Sequence, residues 1–277
     1  MNWKILFRTV SVVMILFFNV SQGQNYKVFY DMVYKTDSSD SETQKKAMVL
    51  LIKDNQSKFF SQEQLINDSV IIEKQKTNGK ALKKYDYNFM TIKDNQEKKL
   101  HKFNAILRDL YKITESMPVF NWIITGETKT INTFTCQKAT LNYANRSWEA
   151  WFTTDIALHE GPYVFNGLPG LIISLKDSKN NYEFSFSGLK KNEVLNVDYL
   201  STKPFEVTAK QFNKALLDHY NDPYREMKAG NIKVRWQDED GKEFKPDYKE
   251  LTKTEQKNIK KHNNPIELTE AIHYPTK

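Results

Sequence analysis

One cysteine, Cys136, is all that the 277 residues contain, so no disulfide can form within the chain and its stability has to come from packing. Long apolar runs are equally scarce. Beyond residue 23 no segment reaches the roughly 20 apolar residues that a membrane-crossing helix needs. The five histidines, His101, His159, His219, His262 and His273, are scattered, with no His-x-x-x-His pair. With a single cysteine, that leaves no zinc spacing. There is no Gly-x-Ser-x-Gly elbow and no glycine loop that would cradle phosphate. Asp238-Glu239-Asp240 is too short for a calcium loop, which needs alternating ligands and a terminal Glu. Asp155 with His159-Glu160 is the nearest approach to a ligand cluster, and it reads as a solvated loop. Cys136, in the alternating stretch Phe134-x-Cys136, reads as a small buried hydrophobe rather than a reactive thiol. These absences remove every recognisable catalytic set, and no metal or cofactor is called for.

What is present begins at the N-terminus. Lys4 and Arg8 precede the apolar run Val10 to Phe18, and Ser21-Gln22-Gly23 follows it. That order of positive, apolar and small residues predicts a secretory leader cleaved near residue 23. No cysteine lies near the junction for a lipid anchor. The expectation is an exported protein, periplasmic or secreted, that is not integral to a membrane, with residues 24–277 forming one domain. The formal charge of +7 falls to +5 once Lys4 and Arg8 leave with the leader. Basic and acidic residues are mixed along the chain, so no nucleic-acid stripe is expected. Aromatics make up 13% of the chain, which favours strands and a filled interior.

Tyr26-Val28-Tyr30 and Met48-Leu50-Ile52 have period two, and Asp37 to Lys46 between them is a polar loop. Residues 61–74 suggest a weakly patterned helix. Phe103, Ile106 and Leu110 recur at helical spacing, although the family resemblance given below makes strand plausible for Leu110 to Thr114. The firmest strands are 133–143, 147–154, 171–177 and 181–188. In the last, Tyr182, Phe184 and Phe186 alternate with polar residues, as in an antiparallel sheet with one wet face. Ser178-Lys179-Asn180 predicts a hairpin turn. Phe134 and Cys136 differ in parity from Ala139, Leu141 and Tyr143, which predicts a bulge near Gln137-Lys138. Trp148 falls on the apolar face and Trp151 on the other. Thr208 and Gln211 form a capping-box pattern opening a helix along Phe212, Leu216 and Tyr220. From about residue 230 the tail is charged, with a surface turn at Asp238 to Gly241 and a solvated helix over 253–261. The predicted fold is α+β, mainly a twisted antiparallel sheet, with the Thr208 helix packed on one face or end.

Gly167-Leu168-Pro169-Gly170-Leu171-Ile172, together with Lys138-Ala139-Thr140, Asn145-Arg146, Ala150-Trp151-Phe152-Thr153, Asp155-Ile156 and Gly161-Pro162, resembles the GLPGLI family of exported bacterial proteins of unknown activity. Asn263 to Leu268 is similar to that family's C-terminal signature, while Ala157 stands where the family usually has proline. The resemblance also implies export. Read physically, Pro169 and Gly170 suit positions i+1 and i+2 of a type II turn, with φ > 0 at Gly170, and Leu171, Ile173 and Leu175 then share one side. A sharper reading makes Gly161-Pro162 and Gly167-Leu168-Pro169-Gly170 the rim of a ligand mouth beside Trp151, with Arg146 and Asp155 nearby. The favoured function is a non-enzymatic accessory or binding protein of the bacterial envelope, its partner an envelope protein or a small ligand. The alternatives are a periplasmic carrier of an apolar ligand such as lipid, and a hydrolase whose site is assembled from distant residues.

Overall fold

The computed structural model describes residues 25–77, 86–191 and 197–275; the leader read from residues 1–23 lies outside them. Alternation in Tyr26–Tyr34 (β1) buries Val28, Tyr30 and Met32 on one side. Gln44–Lys53 (β2) is apolar on both sides, as a central strand must be. Gln56–Ser61 (β3), Thr91–Asp94 (β4), Lys99–Ile106 (β5) and Asp109–Ser116 (β6) continue an antiparallel meander. A second meander comprises Ile123–Ile131 (β7), Phe134–Tyr143 (β8), Arg146–Thr153 (β9), Leu171–Asp177 (β10) and Tyr182–Lys191 (β11). Pairing of β1 with β11 fuses the two, and the short Phe205–Val207 (β12) adds in parallel beside β6. The result is one sheet of order β12-β6-β5-β4-β3-β2-β1-β11-β10-β9-β8-β7. The expected antiparallel α+β architecture is therefore what is found.

The helical spacing of Phe103, Ile106 and Leu110 is a coincidence of a hairpin. Phe103 and Leu110 lie on β5 and β6, where Ala105 pairs Leu110, and both are buried on the same face. The predicted bulge is also displaced. β8 runs in unbroken register with β9, while Thr125-Gly126-Glu127 of β7 bow out opposite Lys138 alone. Gln137 Nε2 holds the bow by donating to the Thr125 carbonyl at 2.7 Å. A second bulge, at Ile173 of β10, makes Ile172 rather than Ile173 share a side with Leu175, since these two pair with Phe152 and Ala150. A third lies at Ser187, where Phe29 pairs Gly188 and Tyr30 pairs Phe186. Such bulges bend and twist their strands, so three in this half curl the sheet around one face.

That inner face holds the main core, in which Tyr30, Leu50, Phe59, Trp148, Phe152 and Phe184 pack on residues of the β9–β10 connection. The outer face carries Val49, Leu51, Phe60, Met90 and Phe103, roofed in part by the helix Gln62–Lys76 (α1), whose N-cap Ser61 accepts from Gln64 N at 3.0 Å. Its weak apolar pattern has a cause: α1 buries polar Gln64 and Asp68 as well as Ile71. Gln64 Nε2 donates to Asp68 at 2.7 Å, and Asp86 N donates to Gln64 Oε1 at 2.9 Å. Below them Lys58, almost wholly buried, donates to the Tyr199 carbonyl at 2.6 Å. Burial pushes Lys58 down to about 8, against the pull of Asp68 and Asp198.

The buried lysine has a measurable consequence. Its folded-state value is depressed below 10.5, so between those pH values the unfolded chain binds more protons and this group makes stability rise with pH. At about 1.4 kcal/mol per pKa unit, the penalty is near 3 kcal/mol below pH 8 and is relieved as pH climbs toward 10. Urea titrations of wild type and Lys58→Met between pH 7 and 10 should show the variant gaining on wild type at pH 7 and losing that advantage by pH 10. A constant difference would contradict it.

Thr208 caps Ala209–Asn221 (α2) with the complete capping box expected from the sequence, Thr208 N donating to Gln211 Oε1 at 2.8 Å and Gln211 N to Thr208 Oγ1 at 3.2 Å. α2 sits at the β6 end of the sheet, with Phe212 against Tyr111 at 5.5 Å between ring centroids. A short turn of helix, Arg225–Lys228 (α3), follows it. Tyr248–Lys261 (α4) packs beside α2; it starts earlier than predicted because Asp247 caps it, accepting from Lys249 N at 2.9 Å.

Candidate functional site

Between β9 and β10 the chain leaves the sheet at Thr154 and turns back into its concave face. Tyr163, Val164, Phe165 and Leu168 fill that face and are buried. The fastening is polar. Lys93 on β4, fully buried, pairs with Glu160 and donates to the carbonyls of Gly161 and Phe165, each at 3.2 Å. Ser57 Oγ and Asn95 Nδ2 donate to the two Glu160 oxygens at 3.2 Å. Thr91 Oγ1 donates to the Tyr163 carbonyl at 3.1 Å, and Tyr30 OH to the Ile172 carbonyl at 2.7 Å. Burial first, then Glu160, drives the Tyr30 phenol well above its ordinary range.

The expected type II turn is not there. Gly170 N donates to the Leu168 carbonyl at 2.8 Å, a three-residue turn about Pro169, and Gly170 is absent from the residues of positive φ. The left-handed positions of the connection are Tyr163, at φ +57°, and Gly167, at φ +86°, where the chain reverses and Gly167 N reaches the His159 carbonyl at 3.0 Å. Gly170 is required for a different reason: a Cβ there would sit 1.9 Å from the Thr153 carbonyl oxygen.

Arg146 opens β9 and is buried. Its Nε donates to the Ile266 carbonyl at 2.8 Å, Nη2 to Asn264 Oδ1 at 2.6 Å and to the Pro265 carbonyl at 2.8 Å, and Nη1 to Asp177 at 3.3 Å. Asp177 in turn accepts from Asn181 N at 2.6 Å and Tyr182 N at 2.8 Å, closing the predicted hairpin. The planar fork of arginine suits this set, and lysine would not replace it. Arg146 thus ties residues 264–266 to the sheet. Arg146→Ala should cost about 2–3 kcal/mol, the range for hydrogen bonds to a charged group. It should also raise hydrogen exchange and trypsin cleavage selectively from about residue 260 onward. Unchanged protection there would remove the clamp role.

The same C-terminal segment brings Glu267 under the sheet, where it accepts from Tyr143 OH at 2.7 Å and Tyr163 OH at 2.9 Å and pairs with Lys102 at 2.8 Å. Lys102 also meets Glu270 at 2.6 Å and Glu115 at 3.1 Å. Burial pulls the Lys102 ammonium down, but Glu267 and Glu270 outweigh it and hold it above the ordinary lysine range. Burial and Glu267 raise both phenols. These groups are committed to one another and to anchoring the chain.

The nine residues expected around a ligand mouth differ in exposure. Arg146, Gly161, Pro162, Leu168 and Gly170 are buried, while Asp155, Gly167 and Pro169 are exposed. Trp151 faces away from Trp148; its Nε1 donates to Glu149 at 3.0 Å and Lys129 Nζ lies 3.9 Å from its ring centroid. Gly167 lines a recess of about 700 Å³, one of three prominent cavities among the described residues, that includes Asn95, His159 and Glu160. A second recess, about 520 Å³, lies beside α2 near Lys102 and Glu270.

The third, about 620 Å³, is a groove at the open end of the sheet. β7 begins pairing at Ile123 opposite Thr140, so Leu141 to Tyr143 of β8 run past it. The preceding strap, Met117 to Trp122, dives inward instead: Phe120 stacks on Phe165 at 5.4 Å and meets Tyr143 edge-on at 5.0 Å, and Trp122 Nε1 donates to the Asn166 carbonyl at 2.9 Å. Val119 and Ile123 on the groove wall are 87% and 66% exposed. Trp148, which also lines it, is 2% exposed, and its indole Nε1 is buried with no hydrogen-bond partner among the described residues. Nothing in the sequence marked this groove beyond the placement of Trp148 on the apolar face, because it forms where two strands fail to match in length.

A family model described as N-glycanase peptide, N-terminal domain, matches residues 32–211, which is more than half of the chain. The chain belongs to this family. Among solved structures it is similar to two crystal forms of PNGF-II, in space groups P21 and C2, at 16% and 15% identity, each with a TM-score of 0.49 and covering 69% of this chain and 32% of that one. The chain therefore spans about a third of the length of those proteins. The MucA/MucB complex of Pseudomonas aeruginosa is a more distant likeness, at 7% identity and a TM-score of 0.33, covering 65% of this chain and 56% of that one. No curated protein matches the sequence.

Proposed function

We propose that this chain is a non-enzymatic, exported binding module of the bacterial envelope, and that the groove beside Trp148 is where it binds. One observation carries the reading. The buried ionisable groups of the inner face, Lys93 with Glu160, Arg146 with Asp177, and Lys102 with Glu267, are each spent on holding the β9–β10 connection or the C-terminal segment to the sheet. A catalytic acid or base has to reach a substrate proton, and these groups are closed in by their own partners. The groove, by contrast, is open and lined by aromatic and amide side chains. The inner face of the sheet, where an apolar cargo would ride, is occupied by Tyr163 to Leu168, which counts against a lipid carrier.

The leader-like N-terminus and the hexapeptide support a place among exported proteins of the GLPGLI kind. Membership in a family described by an N-glycanase, over its N-terminal domain, makes a glycopeptide the substrate to try. Incubating the protein with an N-glycosylated peptide and weighing the products by mass spectrometry should return the peptide intact. Release of the glycan would end the non-enzymatic reading.

A further inference from the structure

A sheet that does not close on itself leaves two edges, and here they are unlike. At one end β12 is three residues long, and Phe212 of α2 packs beside it on Tyr111 of β6. At the other, β7 presents nine residues, six of them Ile or Thr and none proline, and no element among the described residues pairs with its outer side. All but Thr125 and Ile131 are exposed, and Ile123 and Ile124 carry apolar surface there, at 66% and 45% exposure. Such an edge is a template for another strand. We infer that the strand it takes is β7 of a second copy of this chain, paired antiparallel about a two-fold axis at Thr128.

Charge selects both the occupant and the register. Glu127 and Lys129 point to the same side of the strand, that of Trp151: Lys138 Nζ meets Glu127 at 3.1 Å, and Lys129 Nζ lies 3.9 Å from the Trp151 ring centroid. With Thr128 opposite Thr128 of the second copy, Glu127 of each strand faces Lys129 of the other, so one contact supplies two opposite-charge pairs. An axis at Glu127 or at Lys129 would set like charges face to face. The backbone agrees in phase. Ile131 and Phe134 pair across the two-residue turn Asn132-Thr133, and such a turn closes when its first carbonyl accepts from its fourth N–H. Ile131 and Lys129 therefore turn their peptide groups to β8, while Thr128 and Thr130 turn theirs to the open edge. Thr128 opposite Thr128 is then a hydrogen-bonded pair, and the flanking Glu127 and Lys129 positions are of the kind whose side chains approach closest. The bow in β7 bounds the new ladder: Glu127 N already donates to Thr125 Oγ1 at 3.2 Å, and the Thr125 carbonyl accepts from Gln137. A ladder from Gly126 to Thr130 is short for a strand, so the association is reversible and depends on concentration.

The test is analytical ultracentrifugation of the whole mature protein from micromolar to submillimolar concentration, where monomer should give way to dimer. Glu127→Lys and Lys129→Glu, both at exposed positions, should each weaken the dimer about tenfold. An equimolar mixture of the two variants should regain it, because every pair across the axis is again opposite in charge. Lys210→Glu, the same change of charge on exposed α2 surface, should leave the dimer unchanged. In wild type the amide protons of Thr128 and Thr130 should exchange more slowly as concentration rises. A monomer throughout, a dimer weakened as much by Lys210→Glu as by Lys129→Glu, or a mixture no stronger than its components overturns the inference. None of these results touches the groove beside Trp148, so the proposed function stands or falls separately.

Discussion

Gly170→Ala is expected to lower unfolding free energy by roughly 4 kcal/mol, at the upper end of what one substitution does. The added methyl would lie 1.9 Å from the Thr153 carbonyl oxygen and 2.6 Å from its carbon. Both are backbone atoms of β9, and Thr153 is the partner of Leu171 at the first rung of the β9–β10 ladder. Relief requires moving one strand off the other, which breaks that ladder where the hexapeptide enters the sheet. For a protein of this size the loss corresponds to about 10 °C in Tm. The neighbouring glycines calibrate the effect. Gly167→Ala meets nothing within 4 Å but must hold φ +86°, a cost of about 1–2 kcal/mol. Gly161→Ala meets the tip of Ile172 at 2.5 Å, a side chain that can shift. Urea melts of the three should rank Gly170→Ala as the most damaged. Near-wild-type stability for it would mean that the close approach to Thr153 is not required.

Lys93→Met is expected to cost about 3–5 kcal/mol, the range for stripping one partner from a buried pair. It leaves Glu160 buried with only Ser57 and Asn95 as donors, and it orphans the Gly161 and Phe165 carbonyls. Replacing both residues by Met removes the stranded charge, so Lys93→Met/Glu160→Met should recover part of the loss. A double variant no better than Lys93→Met alone would show that Lys93 acts through the two carbonyls rather than through Glu160. Either variant should loosen Tyr163 to Leu168 first, seen as faster hydrogen exchange there than in β1 or β2.

The alternation of Tyr26 to Tyr34 and of Tyr182 to Phe186, the hairpin at Ser178 to Asn180 and the Thr208 cap were legible because local patterning determines each of them. The bulge was half legible: the parity break in β8 is real in the sequence, but the extra residues sit in β7, and a single strand cannot reveal which partner carries them. Phe103, Ile106 and Leu110 misled because spacing by three and four also fits residues on either side of a tight turn. At the hexapeptide the need for glycine was legible and its reason was not. Proline before glycine suggests φ > 0, whereas the requirement comes from a carbonyl brought up by β9, seventeen residues earlier in the chain. Arg146, Lys93 and Glu267 were out of reach in a deeper sense. Their partners lie 118, 68 and 104 residues away, and a buried lysine or glutamate looks like a surface one until the fold surrounds it.

The competing pictures place a ligand at opposite sites, and nitrogen–proton NMR of the tryptophan indoles separates them. On titration with an N-glycosylated peptide, the indole signal of Trp148 should shift, with amide changes at Ile123, Asn142 and Tyr143 and none at Trp151 or Gly167 to Gly170. Shifts confined to Trp151, Asp155 and the Gly167 to Gly170 turn would contradict the account and restore the hexapeptide as the rim of a binding mouth.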